Sequence, residues 1–155
     1  MSEQEVSTRT LIQGAHRFHL RAASIMIFLT YWLMVLTYPN FFIFNPIAET
    51  HFIRSVALWI CLLGWLIASI GTPTMLWLVS DGKNGALRWI PLTACWWPVS
   101  IAFSQITSYM ITGHSYLNYL IEYPVFIVTD IAIPIFALWK YAEMKRFISD
   151  TNHRQ

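Results

Sequence analysis

Four long apolar segments constrain what this chain can fold into more than any other feature of its sequence. Each is long enough for the roughly 20 residues with which an α-helix crosses the hydrocarbon core of a bilayer. A composition of 56% hydrophobic and only 12% charged residues is also far too apolar for an ordinary soluble domain of this length. We therefore predict an all-α integral membrane protein, a four-transmembrane-helix bundle, with spans at residues 22–38, 56–79, 87–111 and 117–139.

The polar ends of the chain complete a single predicted membrane domain over residues 1–155. Residues 1–21 combine a capping-box start with apolar residues at helical intervals and basic residues opposite them. This pattern is typical of an amphipathic helix that lies on the membrane surface and leads into the first span. Residues 140–155 form a basic tail. We expect no cleavable signal peptide, because the first apolar segment follows a long polar and basic stretch.

The distribution of positive charge predicts the orientation of the spans. Of the 10 Lys and Arg residues, only Arg54 lies between the first span and the second. The others lie before the first span, around the loop between the second and third, or after the fourth. Since cytoplasmic loops carry the excess of Lys and Arg, both termini are predicted to be cytoplasmic. We expect a multi-pass protein of the bacterial inner membrane. Topology accounts for the net charge of +2, so no nucleic-acid partner is expected.

Polar and small side chains mark the sides of the spans that face other helices. In the second span, Gly64, Ala68, and Gly71 or Thr72 form a small-residue face that permits close helix approach. In the third span, one polar stripe recurs at three- and four-residue spacing and contains Thr93, Trp97, Ser100, Ser104, and Thr107 or Ser108.

The fourth span contains two acids. Asp130 falls near the predicted bilayer midplane, and Glu122 lies about 8 Å in from the outer end at ~1.5 Å per residue. Asn118, Glu122 and Thr129 share one stripe, and both carboxyls can point into one wide interior face. Glu122 is also close enough to the outer surface to be an ordinary interfacial acid.

Prolines are predicted to release backbone carbonyls inside three spans. Pro73, Pro98 and Pro134 lack the amide hydrogen that the carbonyl four residues earlier would accept. The oxygens predicted to be released are those of Ser69, Ala94 and Asp130. Aligning the four spans by their centres places one polar cluster at mid-depth, made of Thr30, Tyr31, Ser69, Ser100 and Asp130.

A central Asp costs about 2.5–3.5 kcal/mol on insertion scales and commonly marks a functional path. No Lys or Arg lies in the interior of the four spans, which leaves several ways to stabilise Asp130. It is protonated and hydrogen-bonded to hydroxyls such as Ser69 or Ser100, or it exchanges a cation or proton in transport, or another subunit or a cofactor completes it. A neutral Asp that only joins helices is a further alternative.

Histidines offer only weak candidates for metal ligands. His51 and His114 fall in the two predicted outer loops, without a recognised ligand spacing. No pair of histidines lies at similar depth in two spans, which disfavours embedded haem. The two cysteines are isolated in different spans, so we expect neither a disulfide nor a CxxC centre. No cofactor is predicted.

We expect a small oligomeric membrane transporter or channel that moves protons or cations through an intramembrane carboxylate. Asp130 is the exchanging carboxyl and Glu122 an outer relay, while Ser69, Ser100, Ser104, Tyr31 and Asn118 supply polar lining. Expected partners are the lipid bilayer and further copies or other membrane subunits. The alternative is a non-catalytic integral subunit of a larger respiratory or photosynthetic complex that contacts quinone, pigment or lipid. An enzyme is disfavoured, because no dense set of His, Asp and Arg lies at one interface, and no catalytic residue is predicted.

Overall fold

The computed structural model describes residues 3–37, 51–113 and 125–152, with side chains between residues 14 and 150 of those ranges. These residues are 96% helical and contain no strand. They form α1 (Glu3–Thr37), α2 (Phe52–Ser80), α3 (Ile90–Thr112) and α4 (Val125–Asn152). A 3₁₀ turn at Asn84–Trp89 leads into α3, after a reversal in which Gly82 has a φ of 82° that suits glycine.

The predicted all-helical class is confirmed, and three helices are long and apolar enough to cross a membrane. These segments are Gly14–Thr37, Phe52–Ser80 and Val125–Asp150. They are compatible with a multi-pass integral membrane protein. The span predicted at residues 87–111 coincides with α3, but this helix is less apolar than the other three. Its polar stripe is the physical reason for that difference.

The start of the chain continues into the first predicted span without a break. Residues 1–21 are predicted as an amphipathic helix that leads into the first span, and α1 is a single helix of 35 residues that extends across that boundary. Its second half is apolar on several sides, as expected for a helix that lies in lipid. The first half carries the basic residues, so one helix joins a charged end to an apolar body.

Helices adjacent in the chain pack against each other, α1 against α2, α2 against α3 and α3 against α4. α1 lies along the second half of α2, and α3 lies along the first half of α2. The largest side chains that are fully buried between these helices are Trp97, Tyr31, Phe126, Met34 and Leu76. Two of the five carry polar atoms, so the centre of the bundle requires internal hydrogen bonds.

Two small residues of α2 allow α3 to approach closely. A Cβ added to Gly64 would overlap Ser100, whose own Cβ would lie only 2.8 Å away. A Cβ added to Gly71 would lie 2.9 Å from Cγ2 of Thr93. The small-residue face of α2 therefore contacts the polar stripe of α3, as small residues in membrane helices commonly do.

Two helices contain a π-helical turn shortly before a proline. In α2 the turn Ile67–Gly71 precedes Pro73, and in α4 the turn Val128–Ala132 precedes Pro134. Such turns each hold one extra residue inside an α-helix and occur frequently at functional sites. Pro98, in contrast, lies within the regular α-helix of α3. The same residue type therefore has different backbone consequences in different spans.

Charged side chains from three parts of the chain meet at one end of the bundle. Arg17 and Arg21 of α1 both bind the Asp81 carboxylate, at 3.3 and 2.6 Å. His16 of α1 lies 3.6 Å from Glu143 of α4, which also accepts a hydrogen bond from Lys140 at 2.8 Å. Arg54 belongs to the start of α2, which is the opposite end of that helix.

The close contact at Gly64 predicts a specific packing defect. Replacement of Gly64 by Ala should destabilise the bundle by about 1–3 kcal/mol, the usual cost of overpacking a tight contact. Unfolding of the detergent-solubilised protein, followed by circular dichroism, measures this change. The matched control is Gly14→Ala, because a Cβ at that helical position meets no atom within 4 Å. Equal stabilities of the two variants would contradict the close packing of α2 on α3.

Candidate functional site

The buried carboxyl of Asp130 is the centre of the candidate functional site. It lies in the π turn of α4 and is only 9% exposed. Its Oδ1 atom accepts a hydrogen bond of 2.6 Å from the indole Nε1 of Trp97 on α3. The hydroxyl of Thr129 lies 3.0 Å from the same oxygen. A buried carboxyl is costly unless such donors reach it, so these contacts offset part of the cost of its burial.

Both donors address one oxygen of the carboxyl. Oδ1 faces the indole N–H and the Thr129 hydroxyl, and an indole nitrogen can only donate. A proton bound by Asp130 would therefore be carried on Oδ2, because Oδ1 already accepts hydrogens. The site can hold the ionised and the neutral carboxyl without reversing the Trp97 hydrogen bond.

The Thr129 hydroxyl has several acceptors for its single proton. Besides Asp130 Oδ1 at 3.0 Å, it lies within 3.4 Å of the Met34 sulfur and of the Val125 carbonyl, and 3.3 Å from the Phe126 carbonyl. The carboxylate is the strongest of these acceptors when it is charged. When the carboxyl is neutral, the hydroxyl can return to its own helix, as Ser and Thr commonly do. Thr129 is therefore a donor that can be switched by the charge of its neighbour.

The hydroxyl of Tyr31 supplies a hydrogen bond that the backbone next to Asp130 lacks. In the π turn, the Ile133 amide donates to the Val128 carbonyl five residues earlier. The next position in this register is Pro134, which has no amide hydrogen to give to the Thr129 carbonyl. The hydroxyl of Tyr31 on α1 donates to that carbonyl instead, at 3.1 Å, and its side chain is fully buried. The sequence predicts that Pro134 leaves the Asp130 carbonyl, four residues earlier, without an amide donor. Because the π turn shifts the hydrogen bonding by one residue, the carbonyl that lacks an amide donor is that of Thr129, and Tyr31 donates to it.

The hydroxyls of Ser69 and Ser100, predicted to line the site, donate to carbonyls of their own helices. Ser69 is buried and donates to the Leu66 carbonyl of its own helix at 3.3 Å. Ser100 donates to the Trp97 carbonyl at 2.8 Å and lies against Gly64. Ser104 is half-buried, one turn further along α3. Thr30 donates to the Met26 carbonyl at 2.8 Å. Of the five residues in the predicted mid-depth cluster, Tyr31 and Asp130 are therefore joined through Thr129, while the hydroxyls of the others bond within their own helices.

Several predicted site residues lie outside the described residues, namely Glu122, Asn118 and His114. Their roles stay predictions. His51 is exposed immediately before α2. Within residues 3–37, 51–113 and 125–152, no three His, Cys, Asp or Glu side chains are grouped so as to hold a metal ion.

Sequence reasoning missed Trp97 and Thr129 as direct partners of Asp130. The sequence predicts Trp97 on the polar stripe of α3, three residues before Ser100, and that position is the available signal. An indole on such a stripe fits packing and hydrogen bonding equally well. The sequence predicts Thr129 on a stripe with Glu122, and its adjacency to Asp130 along the chain does not by itself indicate a contact.

The chain matches no known protein family, no curated protein and no solved structure.

The indole donor predicts a measurable coupling between two helices. Trp97→Phe should destabilise the protein by about 1–3 kcal/mol, because it removes the shortest hydrogen bond to a buried carboxyl oxygen. In an Asp130→Leu background the same change should cost less, with a coupling energy of about 0.5–2 kcal/mol. Denaturant unfolding of the two single variants and the double variant gives this cycle.

The control for that cycle is Trp59→Phe. Trp59 lies on α2 and its side chain is half exposed. It should lower stability little and to the same extent with either residue at position 130. If Trp97→Phe and Asp130→Leu act additively, the hydrogen bond between them does not contribute to folding.

Proposed function

We propose that this protein is an oligomeric membrane transporter or channel that moves protons, with Asp130 as the carboxyl that binds and releases the proton. One observation carries the proposal. A buried carboxyl within a long apolar helix is held on one oxygen by an indole N–H, beside a hydroxyl whose proton has other acceptors within reach. Ionisable residues at such positions commonly belong to proton relays.

The chemistry of the neighbours favours protons over metal cations. A cation bound by Asp130 would need several further oxygen ligands around it. The groups described next to Oδ1 present hydrogens to it, and Ser69 and Ser100 direct their hydroxyl protons to carbonyls of their own helices. These arrangements suit a carboxyl that changes its own protonation.

The switchable Thr129 hydroxyl is the second element of the proposed mechanism. With Asp130 ionised, Thr129 and Trp97 both donate to Oδ1 and stabilise the negative charge. When a proton arrives on Oδ2, the Thr129 hydroxyl turns towards the Phe126 carbonyl, and the Trp97 bond is kept. The cost of alternating between the two charge states falls, because the Trp97 and Thr129 donors each keep an acceptor in both states.

The rest of the proposed proton pathway, from Asp130 to the two membrane surfaces, uses residues and an orientation that the sequence predicts. We assign the end that carries Arg17, Arg21 and Lys140 to the cytoplasm, in keeping with the excess of positive charge there. Glu122 is the proposed relay on the outer side. A bundle of this size encloses little room, so further copies of the chain complete the walls of the pathway. The π turn around Asp130 is the element at which local rearrangement would expose the carboxyl to either side.

Proton flux tests the proposal directly. Purified protein in liposomes with a trapped pH-sensitive dye should acidify or alkalise the lumen when a potassium diffusion potential is imposed. Asp130→Asn should lower the flux at least about tenfold, as expected when a required proton acceptor is removed.

The matched control for this experiment is Asp150→Asn, which removes an exposed carboxyl of the same helix beyond its apolar part. It should leave the flux unchanged. Unaltered flux in a folded Asp130→Asn variant would refute the role of Asp130, and the absence of flux in the unmodified protein would refute proton transport.

A second function is favoured by the character of α3. This helix is the least apolar of the four, and Ser104 and Thr107 are half-buried on it. Polar groups at membrane depth are normally covered by other helices. We therefore keep as the rival a non-catalytic subunit of a larger assembly that contacts quinone, pigment or lipid. A native preparation that is colourless and contains only this chain supports transport, whereas co-purified polypeptides or visible absorbance support the assembly.

A further inference from the structure

An apolar groove lies between α1 and the second half of α2, away from the Asp130 site. Its volume is about 360 Å³, which falls within the range of small-molecule sites. The lining residues are Ser24, Ile25, Phe28, Leu29, Pro73, Thr74, Trp77 and Leu78. Ile25, Phe28, Leu29 and Trp77 are all substantially exposed, so the groove opens to the outside of the bundle. On a helix pair of this apolar character, that side faces lipid.

Positive charge lies at one end of this groove. Arg21 is one helical turn before Ile25, and its guanidinium stacks over the ring of Trp77 at 4.9 Å. Arg17 lies one further turn away and has a side chain that is 56% exposed. Both guanidiniums share the single carboxylate of Asp81, whose pKa the Arg21 hydrogen bond holds below its ordinary value. Two positive charges against one negative charge leave an excess of one positive charge at this end of the groove.

The charged and apolar parts form one continuous stripe. Arg17, Arg21, Ile25 and Phe28 recur at intervals of four, four and three residues, which places them on one face of α1. The stripe therefore changes from cationic to apolar within about three turns, or ~16 Å along the helix axis. A ligand that fits it must have an anionic group at one end and a hydrocarbon chain behind it.

We propose that this groove binds one anionic phospholipid, with the phosphate at Arg17 and Arg21 and part of an acyl chain between α1 and α2. The excess positive charge selects against a zwitterionic headgroup, and the apolar lining excludes a purely polar anion. Basic groups at the end of a membrane helix attract anionic headgroups in this way. The lipid would hold α1 against α2 independently of the Trp97–Asp130 contact, so the inference does not rest on the proposed transport function.

Lipid titration of the full-length protein tests this proposal. In detergent, native mass spectrometry measures binding of dioleoyl phosphatidylglycerol and of dioleoyl phosphatidylcholine, which share their acyl chains. We expect phosphatidylglycerol to bind at least about fivefold more tightly, the effect of one basic group at an anionic headgroup. The headgroup alone, as sn-glycerol 3-phosphate, should not bind measurably in the same range.

Substitutions at the charged end should change the affinity in opposite directions. Arg17→Gln should weaken phosphatidylglycerol binding about fivefold, and Arg17→Lys should keep most of it. Asp81→Asn should strengthen binding, because it removes the carboxylate that competes for both guanidiniums. The matched control is Arg146→Gln, which removes an exposed positive charge from α4 and should leave the affinity unchanged.

A second pair of variants tests the groove itself. Leu29→Trp should fill part of the groove and weaken binding of phosphatidylglycerol, whereas Leu33→Trp, one turn further along the same exposed side of α1, should not. Equal binding of the two lipids would overturn the proposal, as would equal effects of Arg17→Gln and Arg146→Gln. A dimer that Leu29→Trp disrupts, with no preference for either lipid, would assign the groove to a second copy of the chain.

Discussion

The hydrogen bond between Trp97 and Asp130 is the interaction on which the centre of this protein depends. A carboxyl placed among apolar side chains needs donors within the protein, because lipid offers none. The indole supplies one from a different helix, so satisfying the carboxyl also fixes the position of α3 relative to α4. The close approach of α2 to α3 at Gly64 and Ser100 then fixes the third helix. The need of the Asp130 carboxyl for a hydrogen-bond donor is thus linked to the positions of α2, α3 and α4.

In the backbone of α4, as at the Asp130 side chain, an unsatisfied polar group is satisfied by a donor from another helix. Pro134 cannot donate an amide hydrogen, and the π turn shifts this deficit to the Thr129 carbonyl. Tyr31 from α1 satisfies that carbonyl, so a defect in one helix becomes a contact between two. Trp97 and Tyr31 therefore act on adjacent residues of α4 from different sides, one on a side chain and one on the backbone. The segment around Asp130 is held in place although its regular hydrogen bonding is interrupted.

The helical class could be predicted from sequence, because apolar length is a local property. The cost of a carboxyl in an apolar span also indicated that Asp130 needs hydrogen-bond partners. Proline positions indicated where backbone bonding is interrupted. They did not indicate which carbonyl Tyr31 would reach, since that depends on whether the helix takes up an extra residue. The sequence also could not identify the hydrogen-bond partner of Asp130. That partner depends on the rotation of α3, and both Trp97 and Ser100 lie on the predicted polar stripe of this helix. The span predicted at residues 87–111 coincides with α3, which is less apolar than the other three helices.

The two π turns also determine how the chain tolerates changes in length. Each adds one residue to a helix, and one residue corresponds to a rotation of about 100° in all that follows. The parts of α2 and α4 that follow Ile67–Gly71 and Val128–Ala132 therefore have their side chains rotated from the positions that an uninterrupted α-helix would give them. Deleting a residue there would restore regular backbone hydrogen bonding while turning the remainder of the helix to the wrong side. At these two places, regular α-helical hydrogen bonding is therefore incompatible with the packing of the residues that follow.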